Sequence, residues 1–353
     1  MKPVVSTHSS ILSGVAIALS FGLSEMPAIA FVPEPKYTQI ETYSTEIPDG
    51  EGNTDPTDIY YPVLSDSEAL PIALFLQGAL VDKADYANYA SLVARYGFIV
   101  VVPNNERSVF NPVTEEVLTG LLPEPRQVND TLNYFNEQNS NPAFPLAGIV
   151  DTDTLGLLGH SLGGFIGLSI IQNICPPISC PAEFTRPEAV KAGIFFGANF
   201  RLSPATDFFP PVNNDGIPTA LIQGDRDSVG LPSSAEATYL QIQDPPKALI
   251  TVLGANHYGI TNEDNPIRDP NSPTLDQAIA LGTIARWSAL FLRAHLLDDA
   301  DAFGYIYNSG DASDENVTVV SERQTVPEPA ATFTLLIFGI IGGFVLKRRS
   351  PLS

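Results

Sequence analysis

Apolar runs alternate with amphipathic segments along the middle of the chain, from about residue 36 to residue 305. The runs Pro71–Leu76 (PIALFL) and Phe98–Val102 (FIVVV) are continuous, which is typical of strands that are buried on both faces of a parallel sheet. Between these two runs, residues 82–96 carry apolar side chains at helical spacing. Alternation of strand and helix over this length predicts an α/β fold with a doubly wound, mostly parallel sheet in a single domain.

The same periodicity predicts the other elements of this domain. Strands are expected at Tyr37–Ile47, Thr57–Val63, Thr154–Leu158, Val190–Phe196, Thr219–Gln223 and Ala248–Leu253. Helices are expected at Asp82–Tyr96, Thr114–Asn136 (interrupted near Pro123 and Pro125), Gly163–Ile174, Ser233–Ile242 and Leu275–Leu297. Residues 306–325 are polar and acidic without an apolar pattern of their own, and they predict a linker.

The first thirty residues have the order of a secretory signal peptide. Lys2 precedes an apolar run from Ile11 to Leu23, and the small residues Ala28 and Ala30 stand where a signal peptidase would cut. The apolar run is too short to span a bilayer comfortably. The alternative is a buried N-terminal helix, but no neighbouring segment offers a partner face. We therefore expect residues 1–30 to be a signal peptide.

The other end of the chain has three parts in a fixed order. Pro327-Glu328-Pro329 comes first, the uncharged apolar run Ala330–Leu346 follows, and Lys347-Arg348-Arg349 closes the segment. This end resembles the PEP-CTERM sorting signal of Gram-negative bacteria, over residues 326–353. The resemblance implies recognition by an exosortase, transient membrane anchoring through residues 330–346, and export to the cell surface, periplasm or extracellular matrix. A plain tail anchor is the alternative.

Composition and charge narrow the classes of function. The chain of 353 residues has 18 Lys and Arg against 40 Asp and Glu, so its net charge is −22. This excess of acid argues against binding to nucleic acid and against docking on anionic lipid, because both need clustered cations. A hydrophobic content of 44 % supports a large core and excludes general disorder.

Two cysteines stand close together in the sequence. Cys175 and Cys180 frame a short segment that contains Pro176 and Pro177. In an oxidising compartment, two neighbouring cysteines favour one disulfide that closes a small loop. The two prolines can also hold the sulfur atoms apart, so two buried thiols remain the alternative.

The motif Gly159–Gly164 (GHSLGG) follows an apolar strand and opens a helix. This is the G-x-S-x-G pattern in the structural context that it requires, with Ser161 on a sharp turn between strand and helix. Glycines on both sides are needed because side chains there would collide with neighbouring strands. The start of the helix also directs N–H groups at a developing oxyanion. The motif predicts a nucleophilic serine at position 161.

A serine nucleophile needs a base, and the chain has four histidines. His8 lies in the signal peptide, His160 is adjacent to Ser161 and points away from it on the turn, and His295 belongs to the last helix. His257 remains, in a loop directly after the last predicted strand. Such a loop can carry an imidazole over the strand ends, so His257 is the predicted base.

The acid of a triad is expected between Ser161 and His257 in chain order. Asp225 and Asp227 both follow the strand that ends near Gly224. Asp227 is favoured over Asp225, because the strand end can turn before it presents the side chain at position 227. Its expected role is to hold the base in the right tautomer and to stabilise the imidazolium.

An oxyanion hole requires two backbone N–H groups. One is expected directly after the nucleophile, at Leu162. The other is expected at Ala79, in the loop Gln77–Leu80 that follows the apolar strand ending at Leu76. Acyl transfer through such a site needs no cofactor and no metal ion. The polar runs Asn213–Asp215 and Asn262–Asn265 lack the spacing of a calcium loop and predict solvated loops.

The strand and loop over residues 71–105, the motif at Ser161, the turn at Asp227 and the late His257 together resemble the α/β-hydrolase family. The similarity is to the branch of chlorophyllases, dienelactone hydrolases and cutinase-like polyester hydrolases, and it covers about residues 55–300. It implies an α/β-hydrolase fold and a serine esterase with these three side chains as its triad. An ester substrate, as small molecule, lipid or polymer, is the implied partner.

Two features concern the surroundings of this site. The resemblance assigns residues 31–305 to the hydrolase domain. One residue departs from the pattern of the family: Gln77 stands before Gly78, where many members have His or Pro. Asn199–Gly216 has the character of an insertion near the site. Within it, Phe208-Phe209-Pro210-Pro211 predicts either an apolar wall for the acyl group or a buried plug of the loop.

Three functions are open at this stage. The first is an exported carboxylic ester hydrolase. The second is acyl transfer or amide cleavage on the same triad. The third is a non-catalytic surface or matrix protein on a hydrolase scaffold, since a fold alone does not define a function.

Overall fold

One large sheet dominates the structure, which is a computed structural model. It describes residues 32–50, 52–64, 68–111, 116–175, 184–202 and 206–323. Within these ranges, nine strands form one sheet in the order β1-β2-β4-β3-β7-β8-β9-β10-β11, and β5 and β6 form a separate hairpin. The central strands β4, β3, β7, β8, β9 and β10 run parallel, whereas β1, β2 and β11 are antiparallel to their neighbours. The fold is α/β, as the sequence predicts.

The bounds of the elements follow the predicted pattern closely in the centre of the chain. The strands are β1 Ile40–Pro48, β2 Thr54–Pro62, β3 Leu70–Leu76, β4 Ile99–Pro103, β5 Glu106–Asn111, β6 Glu116–Leu121, β7 Val150–His160, β8 Val190–Phe196, β9 Thr219–Gly224, β10 Lys247–Val252 and β11 Val317–Glu322. The helices are α1 Ala87–Ala94, α2 Gln127–Gln138, α3 Leu162–Ile171, α4 Pro232–Gln241, α5 Gln277–Leu296, α6 Ala300–Gly304 and α7 Gly310–Ser313, with a 3₁₀ turn at Lys83–Tyr86 and a π-helical turn at Tyr305–Ser309.

The core consists of two layers of side chains, one on each face of the sheet. Helices α1 and α5 cover one face, where Trp287 and Phe291 are buried against the sheet. Helices α2, α3 and α4 cover the other face, where Phe135 and Ile166 are buried. Central strands such as Ile99–Pro103 are buried at every position, because their successive side chains point into the two layers in turn. The sheet is therefore doubly wound.

The prediction of a helix over Thr114–Asn136 is wrong for its first part. The structure forms the antiparallel hairpin of β5 and β6 there, in which Val109 pairs with Leu118 and Ser108 pairs with Thr119. A helix begins only after Pro125, at Gln127. The hydrophobic pattern of a short hairpin with alternating polar positions can be mistaken for one face of a helix.

The prediction of a linker over residues 306–325 is also wrong. Tyr305 and Ile306 are buried, and residues 317–322 form β11, which pairs with β10 from Val252↔Val317 to Lys247↔Glu322. An edge strand needs only one apolar face, so its pattern is weak in the sequence. The predicted domain therefore continues beyond residue 305.

Both predicted targeting segments lie outside the described residues. This applies to the signal peptide at 1–30 and to the sorting signal at 326–353, including the span 330–346. A search confined to the described part of the chain finds no helix that is long and apolar enough to cross a membrane. Both segments stay predictions.

Candidate active site

The three predicted triad residues lie at one edge of the sheet. Ser161 follows β7, Asp227 follows β9 and His257 follows β10, and these three strands run parallel. The carboxyl ends of parallel strands meet at the same edge, and ligands of open α/β sheets bind there. The topology therefore brings together residues that are far apart in the sequence.

Ser161 lies on the turn between β7 and α3 with a backbone φ of 55° and a ψ of −117°. A residue with a side chain rarely adopts a positive φ, and such strain is concentrated at functional sites. The turn packs closely, because a Cβ atom on Gly163 would lie 2.0 Å from the carbonyl oxygen of Leu76. The amide of Ser161 donates to the carbonyl of Phe196 at 2.9 Å. The serine is thus held firmly while the residue stays partly exposed.

Asp227 and His257 are joined by a hydrogen bond of 2.7 Å from Nδ1 of the imidazole to Oδ2 of the carboxylate. His257 is 2 % exposed, and so is Asp227. Oδ1 of Asp227 accepts from the amides of Val229 and Gly230, at 2.8 and 2.7 Å. Because an ionised carboxylate only accepts, Nδ1 of His257 carries the proton, and Nε2 keeps the lone pair that a general base needs.

Asp225 does not contact the imidazole. Its Oδ1 accepts from the amide of Gly254 at 2.6 Å, which ties the end of β9 to the loop after β10. Asp225 itself is exposed to solvent. Of the two carboxylates after β9, Asp227 is the one bound to His257.

A second carboxylate, Asp269, holds the main chain of the base. Its Oδ2 accepts from the amide of His257 at 2.9 Å, and its Oδ1 accepts from the Ser228 hydroxyl and from the amide of Asn271. Burial by itself raises the pKa of the Asp269 carboxyl, but these hydrogen bonds outweigh it and lower the pKa below its ordinary value. The side chain is therefore a buried anion that links the loops of Asp227 and His257.

The two predicted oxyanion donors follow β3 and β7, which are neighbouring parallel strands of the sheet. The start of α3 packs against the end of β3, where a Cβ on Gly163 would lie 2.7 Å from the carbonyl oxygen of Gln77. Among the described residues, the amides of Ala79 and Leu162 have no hydrogen-bond acceptor, and both residues are partly exposed. The first N–H groups of a helix lack intrahelical partners. Both amides are consequently available to a ligand.

Arg268 fixes the loop that carries Ala79. Its guanidinium donates to the carbonyl of Ala79 at 2.7 Å and to that of Leu80 at 3.3 Å, and it lies 5.6 Å from the ring centre of Tyr258. On the other side, the amide of Leu80 donates to the carbonyl of Leu121 in β6, at 2.7 Å. The peptide between Ala79 and Leu80 is therefore held from both sides.

Gln77, where the family that the sequence resembles often has His or Pro, is bonded to the main chain at the end of β4. Its side chain is fully buried. In the amide orientation that satisfies both atoms, it donates to the carbonyl of Pro103 and accepts from the amide of Asn105, each at 3.0 Å. The residue ties the end of β3 to the end of β4, and its role is to shape the loop.

Phe208 and Phe209, from the segment predicted as an acyl wall or a plug, lie near α4. Phe208 is 62 % exposed, so it is not a buried plug. With Phe209, Pro211 and Leu240 it borders a shallow depression against α4, and Ser161 is not among the residues around that depression. The role of this segment as an apolar wall for the acyl group stays a prediction.

Cysteine and metal chemistry are separate from the triad. Cys175, shortly after α3, is disulfide-bonded. Cys180 lies outside the described residues, so the pairing of these two cysteines stays a prediction. Within the described ranges, no group of three or more His, Cys, Asp or Glu side chains is placed to hold a metal ion. Asn214 donates to the carbonyls of Ile217 and Asp244, and Asn262 bonds to main-chain groups of Ala84 and Asn88.

Sequence reasoning missed several residues that shape the site. Asp269, Arg268 and Tyr86 stand outside any motif, and their partners are remote in the chain. Gly197 could have been noticed in the sequence, because it is a glycine directly after the predicted strand Val190–Phe196. A Cβ at Gly197 would lie 3.0 Å from Nδ1 of His257, so only glycine leaves the imidazole its place.

Fold and site together define a class of protein: an α/β protein whose parallel sheet carries a strained serine, a buried histidine and a carboxylate at its carboxyl edge. No family model matches the chain, and none of the curated proteins matches it. The geometry of the site itself indicates which chemistry it can perform. A histidine whose Nδ1 is held by a carboxylate, at the same sheet edge as a serine on a tight turn, is an arrangement that can activate a hydroxyl as a nucleophile.

Proposed function

We propose that this protein is an exported serine hydrolase that cleaves carboxylic esters on an α/β-hydrolase fold. The observation that carries the proposal is the hydrogen bond of 2.7 Å between His257 and Asp227, at the sheet edge where Ser161 sits on a turn with φ of 55°. A buried imidazole with a fixed tautomer and a strained serine are costly features, and catalysis is the function that accounts for both.

In this proposal Ser161 Oγ attacks the carbonyl carbon of the ester, and Nε2 of His257 takes the hydroxyl proton. The amides of Ala79 and Leu162 stabilise the negative charge that develops on the carbonyl oxygen. Collapse of the tetrahedral intermediate breaks the bond to the alcohol, and the imidazolium returns its proton to that alcohol. An acyl-enzyme on Ser161 remains.

The second half of the cycle repeats these steps with water. His257 removes a proton from water, the hydroxide adds to the acyl carbonyl, and Ser161 leaves with the proton from the imidazolium. Asp227 stays ionised throughout and stabilises the positive imidazolium. No residue outside this group is needed to move a proton.

The proposed location follows from the two targeting segments. A signal peptide over residues 1–30 exports the chain, and a sorting signal over residues 326–353 is recognised by an exosortase and anchors the protein transiently in the membrane. The acidic charge supports a protein that stays soluble and does not bind nucleic acid.

Two other functions compete with this proposal. Acyl transfer or amide cleavage uses the same triad, and product analysis with alcohols or amines as acceptors separates these reactions from hydrolysis. A non-catalytic scaffold would have no need of the buried Asp227–His257 pair. A fluorophosphonate, which reacts with activated serines, would leave such a scaffold unlabelled.

The test compares the protein with S161A and with S169A on p-nitrophenyl esters from acetyl to palmitoyl. Ser169 is a matched control, because it lies on the same helix and its hydroxyl donates to the carbonyl of Phe165, one turn earlier, at 2.9 Å. We expect S161A to lose turnover by about 10⁵- to 10⁶-fold, as is usual when a nucleophile is removed. S169A should keep turnover, and the preferred ester should report the size of the acyl site.

The same proteins are treated with a fluorophosphonate. The parent and S169A should be labelled at Ser161, and S161A should not be labelled. Absence of turnover together with absence of labelling in the parent would overturn the enzyme proposal and favour the scaffold.

A further inference from the structure

Two buried polar side chains next to the triad have no part in the proposed reaction. Tyr86 belongs to the 3₁₀ turn after β3, His160 precedes the nucleophile, and both are completely buried. The hydroxyl of Tyr86 lies 2.9 Å from Nδ1 of His160, and Nε2 of His160 lies 2.9 Å from the carbonyl oxygen of His257. The amide of Gly78 also reaches the Tyr86 hydroxyl, at 2.9 Å.

Each hydrogen bond in this chain of contacts has only one possible donor. The carbonyl oxygen of His257 only accepts, so Nε2 of His160 must carry a proton and donate it. In a neutral imidazole Nδ1 is then an acceptor, so the Tyr86 hydroxyl donates to it. The hydroxyl oxygen in turn accepts from Gly78 N–H. The hydrogen bonds therefore run from Gly78 through Tyr86 and His160 to His257.

The charge state of His160 agrees with this assignment. Complete burial, followed in size by the neighbouring His257, holds the pKa of His160 well below its ordinary value. Burial also raises the pKa of the Tyr86 hydroxyl. Both groups stay neutral at all moderate pH values, so the chain is fixed in one hydrogen-bonding pattern and does not serve as a proton reservoir.

The chain of bonds connects three parts of the site that lie on different loops. Gly78 directly precedes the proposed oxyanion donor Ala79, His160 directly precedes Ser161, and the last acceptor belongs to His257 itself. The packing is close, since a Cβ on Gly78 would lie 2.8 Å from Nδ1 of His160. The rings of His160 and His257 have their centres 4.7 Å apart.

We propose that Tyr86 and His160 form a positioning pair that aligns the oxyanion loop with the catalytic base, across the turn that carries the nucleophile. The inference rests on the proposed serine hydrolase. The pair does not touch the substrate. It acts by fixing the amide of Gly78 on one side and the carbonyl of His257 on the other, and a misplacement of either by about 1 Å is expected to slow the reaction by about 10²-fold.

The experiment compares the full chain with Y86F and with the control Y307F. Tyr307 makes the same kind of bond to a half-buried histidine, with its hydroxyl 2.9 Å from Nε2 of His295, but this pair is in the C-terminal part of the domain and its ring contacts are to Phe291 and Phe303. Both variants lose one hydroxyl from a His–Tyr pair.

We expect Y86F to lower kcat for ester hydrolysis by about 10²-fold while KM changes by less than about threefold, because alignment acts on the transition state. Y307F should leave kcat within about twofold of the parent, since a remote change that keeps the fold has a small effect. Thermal unfolding of both variants verifies that the fold is kept. An unchanged kcat in folded Y86F, or equal losses in Y86F and Y307F, would overturn the inference.

A double-mutant cycle tests whether the two side chains act as one unit. H160Q keeps an N–H donor that can reach the carbonyl of His257, but it removes the ring nitrogen that accepts from Tyr86. We expect the double variant Y86F/H160Q to be as active as the less active of the two single variants, because both changes break the same chain of bonds. Losses that multiply would show two independent effects and would overturn the pair.

A measurement that does not use turnover separates this inference from the proposed function. The ¹⁵N shifts of His160 should report a neutral imidazole protonated at Nε2 between about pH 5 and pH 8. A titrating His160, or one protonated at Nδ1, would overturn the inference whatever the activity. A parent protein with neither turnover nor fluorophosphonate labelling would overturn the proposed function, and the alignment of a base would fall with it.

Discussion

At the scale of single residues, the two carboxylates after β9 show how local geometry assigns different roles to the same chemical group. Asp225 and Asp227 are two positions apart, yet one binds the amide of Gly254 and the other binds His257. Two backbone amides hold Oδ1 of Asp227, which leaves Oδ2 directed at the imidazole. The turn after Gly224, and not the residue type, decides which carboxylate serves the base.

This difference leads to a prediction for the two amide variants. D227N should lower kcat by about 10³- to 10⁴-fold, because an amide nitrogen facing Nδ1–H favours the wrong tautomer of His257. D225N should lower kcat by less than about threefold, because its amide oxygen can still accept from Gly254. Initial rates of ester hydrolysis measure both. Similar losses in the two variants would contradict the assignment of the acid.

His295 predicts a pH dependence of stability. Burial lowers the pKa of this histidine from 6.5 to about 4. Between these two pH values the unfolded chain takes up a proton that the folded protein does not, so the free energy of unfolding falls as the pH drops. From pH 8 to pH 5 the loss due to His295 should be about 2 kcal/mol.

Urea unfolding of the parent and of H295Q at pH 8 and pH 5 measures this contribution. The variant lacks the titrating group. Between pH 8 and pH 5 the free energy of unfolding should therefore fall by about 2 kcal/mol more in the parent than in the variant. An identical pH dependence in both proteins would show that His295 does not stay neutral in the folded state.

At the scale of elements, the two errors of sequence interpretation concern strands at the margins. The β5–β6 hairpin projects from the end of β4 and supports the loop of Ala79 through the bond from Leu80 to Leu121. Strand β11 closes the sheet beside β10. Such strands bury one face or less, so they leave only a weak alternation in the sequence.

The role of β11 in the fold can be tested with two valines of the same strand. Val317 is 4 % exposed and belongs to the core over α5, whereas Val320 is 58 % exposed. V317A should lower the free energy of unfolding by about 2 kcal/mol through lost burial and a small cavity. V320A should change it by less than about 0.5 kcal/mol. Equal, negligible effects in urea unfolding would mean that this segment behaves as a linker.

At the scale of the whole molecule, the path of the chain separates the site from the C-terminal segment. β11 runs antiparallel to β10, so Glu322 lies opposite Lys247, where β10 begins. Ser161 and His257 lie where their strands end, at the other edge of the sheet. The described chain therefore leads towards the proposed sorting signal from the end of the sheet where the parallel strands begin. The candidate active site lies at the opposite end, where these strands finish.

From this arrangement we expect that removal of residues 324–353 leaves kcat/KM for a soluble ester within about twofold, because β11 ends beside the start of β10 and the site lies where the parallel strands end. Removal of β11 as well, by ending the chain after residue 313, is the matched comparison and should destabilise the fold. Rates and thermal unfolding of the two shortened proteins measure these effects. A loss of activity in the first one would place the tail in the site.

The sequence by itself determined the local features of this protein. The strand Val190–Phe196 has the bounds that its apolar run predicts, and the motif at Ser161 lies on the expected turn between β7 and α3. The candidate triad could also be named in advance, because chain order and the few available histidines restrict the choice. These features depend on neighbouring residues, whose chemistry the sequence displays directly.

Only the tertiary structure decided how the loops are held against one another. Tyr86 meets His160 across 74 positions of the chain, Arg268 reaches Ala79 across 189, and Asp269 takes the amide of His257 although it belongs to no motif. The edge strand β11 likewise acquires its role only from its partner β10. Contacts of this kind depend on how distant segments are packed, and a polar side chain in a sequence does not reveal which distant partner will satisfy it when it is buried.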